Sequence, residues 1–177
     1  STPLQNNGYS QFFSDEPMGV PKISYDFQAP LGEFGLEAPS FRPLRVIHNF
    51  LADFQNILAP MQPVMPENTK NMTPDNRDDL RYAARMTQNG EGFLFLVNTQ
   101  DHDLNRHDQE NIKIKLNLVG ETITIPNKRG FTLPKNSSAI LPFNMNINGA
   151  ILKYATAQPL MKIDDNGTDH YFFTVHG

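Results

Sequence analysis

The feature that most constrains this chain is a series of short segments, in its C-terminal half, in which apolar residues recur at every second position. The clearest is residues 112–118, where four aliphatic side chains alternate with lysine and asparagine. A period of two places alternate side chains on opposite faces of a β-strand. This segment therefore predicts a strand with one face in a core and the other in solvent.

Other segments of the same half also have the composition of strands. Residues 92–99 form a nearly continuous apolar run, which is typical of a strand buried on both faces. The remaining candidates are residues 80–87, 122–126, 130–133, 139–147, 150–157 and 170–176. Turn residues separate them, at Asn89-Gly90, Gly120, Asn148-Gly149 and Asn166-Gly167. About eight short strands at this spacing predict a mainly β fold, an antiparallel β-sandwich of the Ig-like or Greek-key kind.

One amphipathic helix precedes these strands. Its apolar residues recur at helical spacing, at Leu44, Ile47, Leu51, Phe54 and Leu58. Ser40 is suited to the N-cap position and Pro60 ends the pattern, which predicts a helix over residues 41–58. Because its apolar stripe is wide, we expect the helix to pack on another element.

Composition divides the chain into three parts. Residues 1–59 hold an irregular N-terminal segment, with one predicted strand at residues 22–27, and the helix. Residues 60–78 are a proline-rich linker, whose proline density disfavours helix and favours extended chain. Residues 79–177 are the predicted β-sandwich domain.

Size and charge exclude several classes of protein. The 177 residues are too few for a whole α/β barrel of about 250 residues. The net charge of −4 and the lack of a basic stripe argue against a nucleic-acid partner. No apolar run approaches the roughly 20 residues that span a bilayer, so no membrane partner is expected. The absence of cysteine excludes disulfides and thiolate chemistry.

Two acidic segments are candidates for metal binding, but the sequence of each is better explained by a loop or turn that binds no metal. Residues 101–108 mix aspartate with His102 and His107, but their spacing matches no ligand pattern and Arg106 would repel a cation. Residues 164–169 lack the alternating oxygen ligands and the following glutamate of a calcium loop. We expect a solvated hairpin loop and a tight turn, with neither metal nor cofactor.

The residues alone mark no catalytic centre. There is no G-x-S-x-G elbow and no glycine-rich phosphate loop. Five carboxylates of the N-terminal segment are candidates by type for a glycosidase pair, but nothing in their spacing marks two of them. They are Asp15, Glu16, Asp26, Glu33 and Glu37.

Residues 24–35, Ser-Tyr-Asp-Phe-Gln-Ala-Pro-Leu-Gly-Glu-Phe-Gly, resemble a signature of family 35 glycoside hydrolases, the β-galactosidases. In that family the stretch reads roughly S-Y-D-Y-D-A-P-L-x-E-x-G, forms the eighth strand of the catalytic barrel with the loop beyond it, and is followed by a helix. Residues 79–98, 122–126 and 153–157 resemble strands of the family's following β-rich domain. The resemblance covers most of residues 22–177.

The resemblance implies a parent enzyme whose two catalytic glutamates lie before this segment, at the ends of earlier barrel strands. It therefore implies that this chain carries no catalytic residue and is a fragment of an exported, periplasmic or extracellular, hydrolase. It also implies that Tyr25, Asp26 and Phe27 line the sugar subsite. Phe27 stands where the family has a second tyrosine, and the missing hydroxyl puts galactose preference in doubt.

Three functions stay open at this point. The first is a non-catalytic sandwich that supports a retaining glycosidase barrel and is inert alone. The second is a stand-alone carbohydrate-binding sandwich, which would show a row of exposed Tyr or Phe and is weakened by the absence of Trp. The third is a subunit that completes a separate catalytic chain. The expected partners are the remainder of the barrel, a carbohydrate, or a second copy that pairs through the N-terminal segment.

Overall fold

A computed structural model describes residues 29–32, 34–76, 78–99 and 107–175 of the chain. The chain separates into two units, residues 1–48 and residues 49–177, which are taken in turn. The strand expected at residues 22–27 lies outside the described residues.

The described part of the first unit is a closed loop followed by the start of a helix. Leu31 and Glu37 pair as an antiparallel bridge, and the Ala38 amide donates to the Pro30 carbonyl at 2.9 Å. Helix α1 (Phe41–Leu58) then begins where the sequence predicts, and its residues up to 48 belong to this unit.

The second unit, with α1 from residue 49 onward, holds the strands. The structure gives these bounds: β1 (Gln62–Val64), β2 (Arg81–Met86), β3 (Gly92–Asn98), β4 (Gln109–Ile112), β5 (Ile114–Leu118), β6 (Glu121–Ile125), β7 (Phe131–Leu133), β8 (Ser137–Ile147), β9 (Ala150–Tyr154), β10 (Gln158–Asp165) and β11 (Thr168–Thr174). A short 3-10 helix, Glu67–Asn71, follows β1.

A five-stranded antiparallel sheet is the middle layer of this unit, in the order β1-β2-β3-β8-β9. Strand β3 is central in it. Five of its seven residues are buried, as expected for an apolar run between two packed faces.

One face of this sheet is covered by a ribbon that is two strands wide. Strands β4 and β5 follow each other along one side of the ribbon, and β6 and β7 follow each other along the other side. Strand β5 pairs with β6, and β4 pairs with β7, both antiparallel. The inward aliphatic residues of the ribbon pack on the sheet. Together they form a core of Ala84, Leu94, Leu96, Ile112, Ile114, Ile123, Ile125, Leu133, Ala139, Leu141 and Phe143.

The other face is covered by the second half of α1 and by the hairpin β10–β11. Phe50 and Phe54 of the helix lie against Phe93 of β3, with ring centroids 5.2 and 6.2 Å apart. Tyr171 and Phe173 of the hairpin pack on the same cluster. The unit is thus a mainly β antiparallel sandwich, as predicted. The predicted burial of the helix stripe is confirmed for Phe54 and Leu58, whereas Ile47 and Leu51 are each 40% exposed.

The structure differs from the prediction mainly in the linker and in the number of strands. Eleven strands are described where about eight were expected, because β1, β4 and β10 lack an alternating apolar pattern. The 3-10 helix Glu67–Asn71 also interrupts a linker that was expected to be extended. Its residues lie just after Pro66 and contain no proline, and the Thr69 amide donates to the Pro66 carbonyl at 3.1 Å.

The predicted Asn-Gly turns are confirmed. At Asn166 and Gly167, which join β10 to β11, the φ angles are 52° and 85°. Two successive positive φ values are typical of the type I′ turns that connect antiparallel strands.

Candidate functional site

The residues that the resemblance assigns to a sugar subsite, Tyr25, Asp26 and Phe27, lie outside the described residues. So does Glu33. Glu37 is described and is exposed on the closed loop of the first unit, with its Oε2 3.9 Å from Arg42 Nε. This placement agrees with the expected solvated turn.

The two acidic segments serve turns and loop ends where they are described. Asp108 accepts a hydrogen bond from the Lys135 amide at 2.8 Å, and Asp164 accepts one from the Gly167 amide at 2.7 Å. Residues 101–106 lie outside the described part. Within the residues that are described, no group of three or more His, Asp or Glu side chains is placed to hold a metal ion.

Asn98 is a buried polar residue that the sequence analysis did not single out. It ends β3, is fully buried, and its Nδ2 lies 3.0, 3.0 and 3.1 Å from the carbonyl oxygens of His107, Leu133 and Pro134. Its own carbonyl accepts from the Asn136 amide at 2.9 Å. The side chain thus holds the start of β4 and the end of β7, which lie side by side at one end of the ribbon, to the central sheet. This is a structural role. Its only sequence signal is a polar residue at the end of an apolar strand.

A polar contact joins the ribbon to strands β8 and β9 of the sheet. Glu121 of β6 accepts hydrogen bonds from Lys153 of β9 and from Asn144 Nδ2 of β8, the latter at 2.8 Å. The hydrogen bond from Lys153, and then that from Asn144, lower the pKa of the Glu121 carboxyl. Glu121 is thus held as a carboxylate, which suits an ion pair better than a general acid.

A second ion pair lies in the hairpin β10–β11, on the opposite face of the sheet from the ribbon. Lys162 of β10 lies 2.8 Å from an oxygen of Asp169 on β11, and its ammonium lies 5.6 Å from the centre of the Tyr171 ring. The hydrogen bond to Asp169 raises the pKa of Lys162. The backbone amide of Lys162 donates to Asp53 of α1 at 2.8 Å, so this cluster fastens the hairpin to the helix.

The strands do not form an aromatic stacking platform. Among the aromatic side chains of the described strands, Phe172 of β11 is exposed, and the others are buried or half-buried. A row of exposed rings, the feature expected of a stand-alone carbohydrate-binding sandwich, is therefore not formed by these residues.

A cleft with a volume of about 520 Å³ lies between the ribbon and the sheet. We call it the inter-layer cleft. Its lining residues come from five strands and the start of the 3-10 helix: Val64, Met65, Pro66, Glu67, Asn68, Tyr82, Ala84, Met86, Leu94, Lys115, Leu116, Asn117, Leu118 and Phe143. This volume is within the range of ligand-binding clefts.

The inter-layer cleft has an apolar floor and a polar rim. Leu94 and Phe143, both fully buried, lie at its base, and the half-buried Tyr82 lines it. Glu67 and Lys115 are exposed at the rim. This arrangement can bind an apolar group beneath a polar edge, and it brings together no pair of carboxylates that could perform hydrolysis.

The sequence matches no protein-family model and no curated protein. None of the described helices combines the length and the apolar character that crossing a bilayer requires.

Proposed function

We propose that this chain is a non-catalytic portion of a β-galactosidase-like glycoside hydrolase, in which the sandwich supports a retaining barrel. The observation that carries the proposal is the resemblance of residues 24–35 to the family signature, followed by a helix and then a β-sandwich in the family's order. The two catalytic glutamates of the double-displacement mechanism would belong to the rest of the parent protein.

The packing of the second unit supports a structural role. Apolar side chains pack on both faces of the five-stranded sheet, and the fully buried residues of the unit include Phe50 of α1, Phe93 of β3 and Phe143 of β8. Three carboxylates there accept hydrogen bonds that join separate elements: Asp53 and Asp108 accept from backbone amides, and Glu121 accepts from Lys153 and Asn144. These contacts hold layers together and leave the carboxylates unavailable as a reacting pair.

The proposed contribution to the parent's substrate site is made by Tyr25, Asp26 and Phe27. Phenylalanine at position 27 supplies an apolar ring but cannot donate the hydrogen bond that a tyrosine would. A site built around a substrate hydroxyl discriminates strongly only when its own polar partner is present. The parent would thus accept a broader range of sugars, and it would be exported, as the resemblance implies.

The first test is an assay of the purified 177-residue chain with 4-nitrophenyl β-D-galactopyranoside. We expect no release of nitrophenol above a buffer blank, because the chain lacks the reacting pair. Chains carrying Glu37→Gln and Glu67→Gln are the matched controls. Hydrolysis by the unmodified chain that one of these substitutions abolishes would contradict the proposal.

A second test uses the gene that encodes the segment. The proposal requires coding sequence upstream of residue 1, in the same or an adjacent reading frame, with glutamates at the ends of two earlier barrel strands. If the upstream sequence encodes no such pair, the chain is not part of a glycosidase of this kind.

A further inference from the structure

The ribbon is too narrow to cover the sheet beneath it. It is two strands wide, while the sheet has five, and neighbouring strands lie about 4.8 Å apart. Its β6–β7 side lies over the far edge of the sheet, where Tyr154 of β9 donates to Asn127 at 2.6 Å and Lys153 contacts Glu121. None of the described strands covers the area over β2, and the inter-layer cleft occupies it.

The residues that line the cleft show the shape of what it can hold. Its floor includes Tyr82, Ala84 and Met86, alternate residues on a single face of β2. One wall consists of four consecutive residues of β5, from Lys115 to Leu118. Consecutive residues of a strand point to opposite faces, so they can line the same space only along the strand's edge. The cleft therefore runs beside the edge of β5.

This edge of β5 is open. Strand β5 pairs with β6 on one side, and no other strand pairs with it among residues 29–32, 34–76, 78–99 and 107–175. In an antiparallel pair, alternate residues direct their N–H and C=O groups to opposite edges of the strand. Half of the backbone groups of β5 thus face the cleft and can bind a further strand.

Exposed apolar side chains flank the same space. Met65 and Val64, which line the cleft, are 57% and 40% exposed. An open backbone edge next to apolar side chains is the arrangement by which sheets bind an extended peptide. A compact polar ligand such as a sugar would leave the backbone groups of β5 without partners.

Charge indicates which extended segment fits. Lys115 of β5 and Lys113, which lies just before this strand, are exposed and form no ion pair with the described residues. The acidic residue in the lining, Glu67, belongs to the 3-10 helix and not to β5. Opposite charges on neighbouring strands stabilise their pairing, whereas lysines on an edge strand oppose pairing with a second copy of the same edge. An acidic strand is the better partner.

We propose that the inter-layer cleft docks one extended segment of another polypeptide, as an additional strand beside β5. The segment has apolar residues at alternate positions, which face β2, and acidic residues between them, which face solvent near Lys113 and Lys115. This inference rests on the fold of the second unit and does not depend on the proposed hydrolase parent.

The test uses the full chain and a designed probe, the peptide acetyl-Glu-Val-Glu-Val-Glu-Val-Glu-amide. We expect backbone amide signals of β5 and of residues 64–68 to shift in NMR titrations at peptide concentrations up to millimolar. A peptide with lysine in place of glutamate should bind at least tenfold more weakly. Lys113→Glu combined with Lys115→Glu should reverse this preference, and both side chains are exposed, so the fold should be retained.

Two N-methylated peptides separate strand pairing from charge attraction. One is methylated on its valines and the other on its glutamates, so each has lost the N–H groups of one edge. We expect one of the two to lose binding and the other to keep it. Equal binding by both, or no shift of β5 signals, would overturn the proposal. So would protection of β5 amides that grows with protein concentration alone, because the occupant would then be a second copy.

Discussion

At the scale of single residues, the buried Asn98 is the polar side chain on which one end of the ribbon depends. Replacing it by leucine leaves the carbonyls of His107, Leu133 and Pro134 without this donor. Each buried polar group left without a partner costs about 1–3 kcal/mol. We expect N98L to lower the free energy of unfolding by at least about 2 kcal/mol, measured by urea denaturation.

The matched control for this prediction is Asn117→Leu, which replaces an exposed asparagine on β5 whose side chain accepts one solvent-exposed hydrogen bond, from Thr122 Oγ1 at 3.3 Å. Surface substitutions of this kind usually change stability by less than about 0.5 kcal/mol. If N98L and N117L destabilise the protein equally, the hydrogen bonds of Asn98 do not have the role assigned to them.

Residues whose role is local could be predicted from the sequence, and Asn98 could not. The Asn166-Gly167 turn depends on the φ preferences of two adjacent residues, so the dipeptide suffices to predict it. The partners of Asn98 include carbonyls 35 and 36 residues away. Nothing in the residues next to Asn98 indicates that these carbonyls will converge on it.

At the scale of elements, a strong apolar periodicity is sufficient to predict a helix or strand from the sequence, and a weak periodicity is not. Helix α1 has the predicted bounds because its apolar stripe continues for its whole length. Strand β10 was missed because Pro159 and Lys162 break its alternation, and it forms because β11 pairs along it. The turn at Asn166-Gly167 and the partner strand β11 determine this pairing, so the residue pattern within β10 alone cannot predict it.

The contact between β3 and its neighbours gives a prediction at this scale. Gly92 begins β3, and a Cβ at this position would collide with the Arg85 carbonyl and the Phe143 ring. Forcing additional atoms into a packed region costs about 1–3 kcal/mol, and more when backbone must move. We expect Gly92→Ala to lower the free energy of unfolding by about 3 kcal/mol, measured by chemical denaturation.

Gly149→Asn is the comparison for Gly92→Ala. Gly149 lies in the β8–β9 turn at a φ of 90°, with no atom within 4 Å of an added Cβ, and asparagine tolerates positive φ better than other residues. We expect its cost to be below about 1 kcal/mol. A Gly92→Ala variant as stable as Gly149→Asn would show that β3 and β8 can separate without loss.

At the scale of the whole molecule, the number of layers in the second unit was harder to predict than their composition. The alternation of β5 indicated a strand with one buried face, and the apolar run of β3 indicated a strand buried on both faces. Neither pattern specifies that a ribbon covers one face of the sheet while a helix and a hairpin cover the other. The cleft follows from this arrangement, because it lies where the ribbon ends over β2.

The same arrangement predicts how stability depends on pH. Glu121 joins the ribbon to the sheet, and its pKa is lowered in the folded state from a value of 4.5. Its contribution is therefore full above pH 4.5 and is lost as pH falls through the lowered folded pKa. Lys162 joins the hairpin on the other face, and its pKa is raised from 10.5. Its contribution is full below pH 10.5 and is lost as pH rises through the raised folded pKa.

Two substitutions separate these effects in measurements of the thermal unfolding midpoint against pH. Glu121→Gln should lower the midpoint near neutral pH and reduce the fall in stability below pH 4.5, because the variant has no carboxylate to protonate. Lys162→Met should leave that acid limb unchanged and reduce the fall above pH 10.5. If both variants keep the pH profile of the unmodified chain, the two ion pairs do not couple the outer layers to the sheet.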